Sequence, residues 1–286
     1  MPELPEVETI CRDLSAKIVG HKITGLSILA SKSINRSPAS FKKAVINHKI
    51  ISISRVGKLL IFELSKKIYL LIHLKMTGQL IFQDKGKIIA GGHSQKGMEA
   101  NNLRNKHTRL IFNLTGESHL FFNDLRRFGY IKLADHNFME KEKNKYGLNP
   151  LNTEFNLPLF KSLIKNKKTK LKSFLLNQKF ISGIGNIYAD EICFVSRVHP
   201  SRHLNSLSIS EIKKIFSSIK SILKKAVRHR GTTFNNFRDG EGRVGNFSRF
   251  LKVYKKNGQK CPRCNSIIKR IKLSGRGTHF CSSCQK

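Results

Sequence analysis

CPRCNSIIKRIKLSGRGTHFCSSC, residues 261–284, carries four of the six cysteines of the chain in a C-x2-C-x16-C-x2-C array. Two close pairs of thiolates at this spacing are typical of a tetrahedral structural zinc site that leaves no vacant position for water. In a reducing compartment this spacing indicates zinc and not disulfides. The array therefore predicts one structural zinc ion on a hairpin, with four ligands: Cys261, Cys264, Cys281 and Cys284.

The chain is strongly basic. Its 286 residues include 54 Lys and Arg against 18 Asp and Glu, which gives a formal net charge of +36. Such an excess attracts polyanions, above all nucleic acid, although charge alone does not separate DNA from RNA. The hydrophobic content of 39% suffices for substantial buried cores, so the sequence predicts two folded domains and excludes a disordered polycation.

The sequence shows no signal for a membrane or for secretion. No stretch approaches the ~20 uninterrupted apolar residues of a membrane span. The N-terminus has Glu where a secretory signal has Lys followed by an apolar core. We therefore expect a cytoplasmic protein. The two remaining cysteines, Cys11 and Cys193, stand singly among apolar residues and are predicted to fill the core.

The N-terminal stretch MPELPEVETI, residues 1–10, concentrates acidic residues in this basic chain. Apolar residues follow Pro5 at helical spacing and predict an amphipathic helix that ends near Gly20: Val7, Ile10, Cys11, Leu14 and Ile18. Taken alone, the stretch is explained as a helix entrance with proline in the first turn and acidic residues near the positive end of the helix dipole.

Between about residues 23 and 135 the pattern is that of short β-strands separated by turn residues. The runs include KIISIS, LLIFEL, IYLLIHL, RLIFNL and HLFF, and together they predict an antiparallel sandwich or barrel. Residues 84–106 lie between these runs. Their glycines, polar residues and lack of periodicity predict a surface loop.

The C-terminal half has helical patterns. The clearest runs from Ile209 to Ala226, after Ser208 and Glu211 in a capping-box arrangement. Residues 136–155 are polar and predict an interdomain hinge, and residues 229–248 form a Gly, Asn and Arg-rich loop. We predict an N-terminal domain, a hinge, a helical domain with its loop, and a zinc hairpin, at 1–135, 136–155, 156–248 and 249–286.

Five motifs occur in order along the chain: MPELPEVET at 1–9, HLKMTG at 73–78, DLRRFG at 124–129, GIGNIYADE at 183–191 and GRGTHFCSSCQ at 275–285. Together they resemble the bacterial formamidopyrimidine-DNA glycosylase family, which removes oxidised purines from DNA. The resemblance covers essentially the whole chain. It implies an α+β fold: an N-terminal helix with an antiparallel β-sandwich, then a helix-two-turn-helix domain with a zinc-binding β-hairpin.

The resemblance assigns the catalytic chemistry to Pro2, Glu3 and Lys58. Removal of Met1 leaves Pro2 with a free secondary amine, and an α-amino group has a reference pKa near ~8, so an appreciable neutral fraction can act as a nucleophile. In the family this amine forms a Schiff base with the sugar, the neighbouring carboxylate moves protons, and the lysine reaches the phosphates and the lesion region.

The resemblance also implies how damaged duplex DNA is held. Met76, Arg126 and Phe128 match the residues that fill the gap left by an everted nucleotide. Asn186 and Arg276 match residues that bind DNA phosphates, and the zinc hairpin is a scaffold for the arginine. Without the motif match, a Met and a Phe between strands are more often core residues. The loop at 230–247 corresponds to the region that closes over the base.

The sequence departs from the family pattern at three places. Lys255 and Lys256 follow LKVY where Gly-Arg is usual, and Asn177 stands where Asp is common. KHTR at 106–109 replaces a more usual His-Asp-His pattern. None of these positions is the nucleophile, the carboxylate or a zinc ligand.

The resemblance predicts a monomeric DNA glycosylase and AP lyase of base-excision repair, associated with the bacterial nucleoid. Two alternatives remain at this stage. One is the sister class that removes oxidised pyrimidines. The opening PELPE and the Met, Arg and Phe trio favour the purine class over it. The other is a non-catalytic zinc-ribbon protein that binds nucleic acid and whose acidic N-terminal helix is only structural.

Overall fold

A computed structural model of the chain describes residues 1–85, 103–232 and 245–286, together with the backbone of 87–92. The chain divides into two compact units. The first comprises Met1–Asn144 and His229–Ser248, and the second comprises Lys145–Arg228 and Arg249–Lys286. Within the described residues, no helix is long and apolar enough to cross a membrane.

Among its described residues, the first unit contains three α-helices and nine strands. The helices are α1 (Leu4–Ile18), α2 (Pro38–Val45) and α3 (His136–Lys143). The strands are β1 (Ile23–Ile28), β2 (Ile50–Val56), β3 (Leu59–Leu64), β4 (Ile68–His73), β5 (Gly78–Asp84), β6 (Lys87–Gly92), β7 (Thr108–Leu114), β8 (Ser118–Asp124) and β9 (Tyr130–Ala134).

These strands form two antiparallel sheets, with the orders β1-β7-β8-β5-β6 and β2-β3-β4-β9. One buried apolar cluster joins both sheets, since it contains Phe112 and Phe122 from the first sheet and Phe62 and Ile72 from the second. Side chains from both sheets thus point into a shared core. The predicted antiparallel β-sandwich is confirmed.

Helix α1 packs beside β2 and β6, which form one edge of each sheet. Its apolar face, which includes Val7, Ile10 and Leu14, belongs to the sandwich core. Glu3 is the N-cap, and its N–H donates to the carboxylate of Glu6 at 2.8 Å in a capping-box arrangement. The predicted N-terminal helix is therefore confirmed, and it covers edges that would otherwise expose unpaired backbone groups.

The loop predicted at 84–106 is wrong for residues 87–92, which form β6 and pair with β5 from Asp84↔Lys87 to Gln79↔Gly92. Gly91 and Gly92 suggested a loop. The strand forms nevertheless, because its backbone hydrogen-bonds to β5, and the local sequence pattern contains no information about that partner. Residue 86 and residues 93–102 lie outside the described residues.

The second unit consists of helices and one hairpin. Its elements are α4 (Leu157–Ile164), α5 (Leu171–Leu176), α6 (Asn186–Ser196), α7 (Ile209–Arg228), β10 (Lys269–Leu273) and β11 (Arg276–Phe280). Helix α6 packs against α5, α7 and β11. The capping box predicted for α7 is present, because Ser208 N–H donates to Glu211 at 2.8 Å and Glu211 N–H donates to the Ser208 hydroxyl at 3.2 Å.

Candidate functional site

The N-terminus and Lys58 lie at the same end of the sandwich. Glu8 of α1 contacts Arg55 of β2 at 2.6 Å, while Ser15, two turns later, donates to the carbonyl of Ile53 at 3.3 Å. Helix α1 therefore runs antiparallel to β2, with its start at the end of β2 that leads into Lys58. Pro2 and Glu3 are buried there, as is Lys58, which is 5% exposed.

Two guanidinium groups hold Glu8 in its ionised form. Burial alone raises the pKa of this carboxyl, but the charges of Arg55 and Arg12 and their hydrogen bonds outweigh it and lower the pKa below its usual value. Because the Arg55 side chain is only 5% exposed, this ion pair fixes α1 against β2. It thereby fixes the position from which the N-terminal residues depart.

His73 is a buried neutral donor beside Lys58. Leu59, the residue after Lys58, pairs with His73 across β3 and β4. Burial, together with the charges of Lys75 and Lys58, lowers the pKa of His73 to about 3. Its Nδ1 accepts the N–H of Lys75 at 3.0 Å, so the ring proton is on Nε2. Sequence reasoning quoted the motif containing this histidine but assigned it no role.

Two loops that connect the sheets lie at this same end. Residues 74–77 join β4 to β5, and residues 125–129 join β8 to β9. Gly78, the first residue of β5, pairs with Asp124, the last residue of β8. Thr77 Oγ1 also accepts the N–H of Arg126 at 2.9 Å. The two loops are therefore in contact.

The three predicted gap-filling side chains stand on these two loops. Phe128 is 55% exposed and Met76 is 36% exposed, so neither is a core residue. The guanidinium carbon of Arg126 lies 5.0 Å from the centre of the Phe128 ring, within cation–π range. The structure thus brings Arg126 and Phe128 together and places Met76 on the adjoining loop.

In the second unit, Asn186 and Arg276 occupy neighbouring positions. Asn186 is the first residue of α6, and its side-chain amide donates to the carbonyl of Gly277 at 3.0 Å. Arg276, the residue before Gly277, is exposed at the start of β11. A helix N-terminus beside an exposed arginine is electrostatically suited to an anion such as a phosphate.

The four cysteines near the C-terminus converge on one point. Their sulfur atoms all lie within 4.8 Å of one another, with Cys261–Cys284 at 3.9 Å and Cys264–Cys281 at 3.5 Å. Zinc–sulfur bonds of about 2.3 Å give a tetrahedron with edges of roughly 3.8 Å, whereas a disulfide requires about 2.05 Å. All four are free thiols and their donor set fits zinc, so the predicted structural zinc site is confirmed.

Two buried acidic residues of α6 connect the zinc hairpin to the helices. Asp190 accepts from Lys172 at 2.6 Å and from the N–H and ring of His279, both at 2.9 Å. Glu191 accepts three successive backbone N–H groups, those of 252–254. Burial raises the pKa of Glu191, although these hydrogen bonds oppose the shift. Sequence reasoning missed Lys172, whose only signal is a lysine in a short helix with four apolar residues out of six.

The departures from the family pattern have local explanations. Asn177 is the C-cap of α5, and its Oδ1 accepts the N–H of Lys179 at 3.0 Å, a role open to either Asn or Asp. Lys255 adopts a φ of 58°, a left-handed conformation in which glycine is favoured. Arg109 is buried and donates to the carbonyl of Asp124. Within the loop predicted to close over the base, residues 233–244 lie outside the described residues.

Three family models match the chain. They are the formamidopyrimidine-DNA glycosylase N-terminal domain over residues 1–131, the formamidopyrimidine-DNA glycosylase H2TH domain over 146–238, and the zinc finger found in FPG and IleRS over 258–286. Formamidopyrimidine-DNA glycosylase of Carboxydothermus hydrogenoformans is 40% identical over 287 residues, which is 100% of both chains. The protein of the same name from Pelotomaculum thermopropionicum is 38% identical over 100% of this chain and 99% of its own.

Solved structures of the Lactococcus lactis Fpg protein are also similar. Its complex with DNA containing an abasic site gives a TM-score of 0.87 at 33% identity and covers 99% of both chains. Its complex with DNA containing N7-benzyl-Fapy-dG gives 0.87 at 34% identity and covers 100% of both chains. A complex with DNA containing an oxidised pyrimidine gives 0.86 at 34% identity, again over 100% of both chains.

Proposed function

Because the chain belongs to the formamidopyrimidine-DNA glycosylase family, we propose that it excises oxidised purines from duplex DNA and then cleaves the abasic site, as part of base-excision repair. One observation carries the proposal. Pro2, Glu3 and Lys58, all buried, share one end of the sandwich with the exposed side chains of Met76 and Phe128 on a basic protein. A nucleophile next to side chains that can enter a base stack is the arrangement that base excision requires.

In the proposed reaction the free amine of Pro2 attacks C1′ of the damaged nucleotide. The nitrogen–carbon bond forms as the glycosidic bond breaks, and the base leaves after protonation. Glu3 donates a proton to the opening sugar ring, which yields an iminium ion at C1′. The iminium ion acidifies the neighbouring C–H bond, so that the 3′ and then the 5′ phosphates leave by elimination. Lys58 holds a phosphate next to the reacting sugar.

The exposed side chains of the two loops act on the duplex. Met76 fills the space of the everted nucleotide, and Phe128 wedges the neighbouring base step. Arg126 donates hydrogen bonds to the base that has lost its partner, for which cytosine offers suitable acceptors. Filling the gap offsets the few kcal/mol that unstacking and unpairing cost.

The second unit contributes phosphate contacts in this proposal. Asn186 and Arg276 bind the backbone on either side of the lesion, and Asn186 also bonds to the residue that follows Arg276. Zinc, held by the four cysteine thiolates, stabilises the hairpin and takes no part in the chemistry. Since every contact named here comes from one chain, we further propose that a monomer acts on nucleoid DNA.

Borohydride trapping tests the proposal. A Schiff base with abasic-site DNA is reduced to a stable covalent adduct, which peptide mass spectrometry should locate on Pro2. A protein that retains an N-terminal extension should form no adduct, because an acylated proline nitrogen is an amide without a nucleophilic lone pair. Glu3→Gln should still bind lesion DNA but lose base excision. An adduct on Lys58, formed by a protein with its extension intact, would refute this mechanism.

Oxidised pyrimidines are a second candidate substrate. The Lactococcus lactis protein has been crystallised with DNA that contains an oxidised pyrimidine, and it is 34% identical to this chain. Single-turnover excision from matched duplexes, one with 8-oxoguanine opposite cytosine and one with an oxidised pyrimidine, compares the two. We expect the purine lesion to be released faster. Faster release of the pyrimidine would assign the chain to the sister specificity.

A further inference from the structure

Asp124, the last residue of β8, is a buried carboxylate that the proposed chemistry does not use. Its side chain is 0% exposed. One oxygen accepts the hydroxyl of Thr77 and, at 3.2 Å, the N–H of Arg126. The other oxygen accepts the N–H of Gly129 at 2.7 Å. The two oxygens thus fix both ends of the 125–129 loop as well as the residue that follows Met76.

The backbone of Asp124 is held from the opposite side by Arg109. The Nε and Nη2 atoms of this buried guanidinium donate to the Asp124 carbonyl at 2.9 Å and 2.8 Å. Arg109 belongs to the KHTR segment, one of the places where the chain departs from the usual family pattern. A fork of two donors on one carbonyl defines its direction more closely than a single contact does.

Close packing limits how far the two loops can shift. A Cβ on Gly129 would lie 2.8 Å from the Phe122 ring and 3.1 Å from Asp124 Oδ2, and one on Gly78 would lie 2.4 Å from the Leu74 carbonyl. At their tips, Lys75 and Arg127 adopt φ values of 50° and 59°. Left-handed conformations at non-glycine residues persist where surrounding contacts impose them.

A side chain that caps its own turn is common for aspartate and needs no functional explanation. Asp124 differs because it accepts hydrogen bonds from two loops. One of them contains Thr77, which is 47 residues from Asp124 in the sequence. The loops that it joins carry Met76, Arg126 and Phe128 on their solvent side. The Thr77 hydroxyl also joins the two loops directly, because it accepts the N–H of Arg126 at 2.9 Å.

We propose that Asp124, supported by Thr77 and Arg109, is the positioning residue that fixes the gap-filling side chains relative to one another before DNA binds. This inference rests on the proposed function. Insertion into a base stack requires several side chains to enter one gap together. If they are already arranged in the free protein, no further conformational entropy is lost in ordering them when the nucleotide is everted.

Asp124→Asn is the primary test, because it keeps the shape but replaces one acceptor oxygen with an NH2 group. Either Gly129 or the Thr77–Arg126 pair then faces a donor in place of an acceptor. Excision of a lesion paired with cytosine should fall by about 10- to 100-fold, while cleavage of a preformed abasic site stays within a few-fold of wild type. The preference for cytosine over adenine opposite the lesion should shrink. Asp135→Asn, at the exposed N-cap of α3, is the control for loss of one carboxylate.

A second pair of variants keeps the test decisive if Asp124→Asn fails to fold. Thr77→Val preserves the shape of the side chain and removes the hydroxyl, whereas Thr77→Ser retains it. We expect Thr77→Val to show the same selective loss of excision on paired lesions. Thr77→Ser should excise paired lesions at close to the wild-type rate. Equal losses on both substrates with a lower melting temperature, or no loss in any variant, would overturn the inference.

Hydrogen exchange of the free protein separates this inference from the proposed function. The amides of 125–129 should exchange faster in Asp124→Asn and Thr77→Val than in wild type, irrespective of catalysis. If wild type formed no trapped adduct, the proposed function would fail even where the loops loosen as expected. If wild type forms the adduct but exchange in 125–129 is unchanged in both variants, only the positioning role is overturned.

Discussion

The ammonium nitrogen of Lys172 lies 2.6 Å from a carboxylate oxygen of Asp190, and both side chains are buried, at 1% and 0% exposure. Lys172 also donates to the carbonyl of Gly277 at 3.1 Å and to the hydroxyl of Thr278 at 2.9 Å. The ion pair therefore joins α5 and α6 to the strand that begins with Arg276. A buried pair of this kind is held by geometry and by satisfied hydrogen bonds, and breaking it is costly.

Lys172→Met should destabilise the zinc-loaded protein by about 3–5 kcal/mol, because it leaves the Asp190 charge buried without its main partner. Urea unfolding measures this loss. The affinity for undamaged duplex should fall as well, since the hairpin that carries Arg276 loses two of its contacts with α5. Lys179→Met is the control, because Lys179 is an exposed lysine of the same unit. Equal stabilities of Lys172→Met and Lys179→Met would contradict this account.

Removal of the zinc site should affect the two units differently. Cys281→Ser deletes one of four thiolate ligands, and the short hairpin has too little apolar content to keep its structure without metal. We expect loss of zinc, measured by metal analysis, and loss of DNA binding, while the β-sandwich stays folded. Ser282→Ala, one residue away, should change neither. Tight DNA binding by a protein shown to be zinc-free would contradict the scaffold role.

Some of the structure could be predicted from sequence because its signal is local. The cysteine pairs define their own site, and the periodicity of Val7, Ile10 and Leu14 predicts α1. By contrast, Lys172 is explained by partners 18, 105 and 106 residues away, which are Asp190, Gly277 and Thr278. A lysine in isolation gives no indication that it is buried, since the compensating acceptors come from elsewhere in the fold.

The site shows the same division. The family resemblance singled out Met76 and Phe128 as gap-filling residues, but their exposure follows from how the β4–β5 and β8–β9 connections cross between the sheets. The strand β6 was missed because Gly91 and Gly92 weaken its local signal, while pairing with β5 supplies the hydrogen bonds. Long-range pairing is the information that local pattern lacks in both cases.

Salt should weaken the binding of undamaged duplex steeply. A net charge of +36 and the proposed phosphate contacts in the second unit predict that log affinity falls linearly with log salt, with a slope of about −0.9 for each neutralised phosphate. Arg276→Ala should make that slope shallower by about 1 and weaken damaged and undamaged DNA alike. Lys66→Ala is the control, since Lys66 lies in the β3–β4 connection at the other end of the sandwich from Lys58. A slope that Arg276→Ala leaves unchanged would remove this residue from the interface.

Met76→Ala should separate base eversion from the later chemistry. Excision from a paired lesion requires the full cost of unstacking, a few kcal/mol, whereas a preformed abasic site requires less. The variant should therefore lose far more activity on the paired lesion, measured under single-turnover conditions. Leu29→Ala, another exposed apolar residue of the first unit, is the control. A parallel loss on both substrates with a lower melting temperature would show that Met76 is simply a packing residue.

His73 predicts how stability depends on pH. Its pKa is lowered from 6.5 to about 3 in the folded protein, so between these values the unfolded chain binds a proton that the folded chain does not. The contribution of His73 is therefore fully present above pH 6.5 and is lost as the pH falls towards 3. One pKa unit corresponds to about 1.4 kcal/mol, so the free energy of unfolding should fall by about 2 kcal/mol between pH 7 and pH 5 through this group.

His73→Asn isolates that contribution, because its side-chain oxygen can still accept the N–H of Lys75 but does not titrate. Urea unfolding at pH 7 and pH 5 should show the variant losing about 2 kcal/mol less than wild type over this interval. His136→Asn, which replaces an exposed histidine of the same unit, is measured in parallel. If His73→Asn and wild type lose the same free energy, then His73 is accessible to protons in the folded state. A protonated ring would add a second charge beside Lys58, and the assignment of His73 as a neutral donor would be wrong.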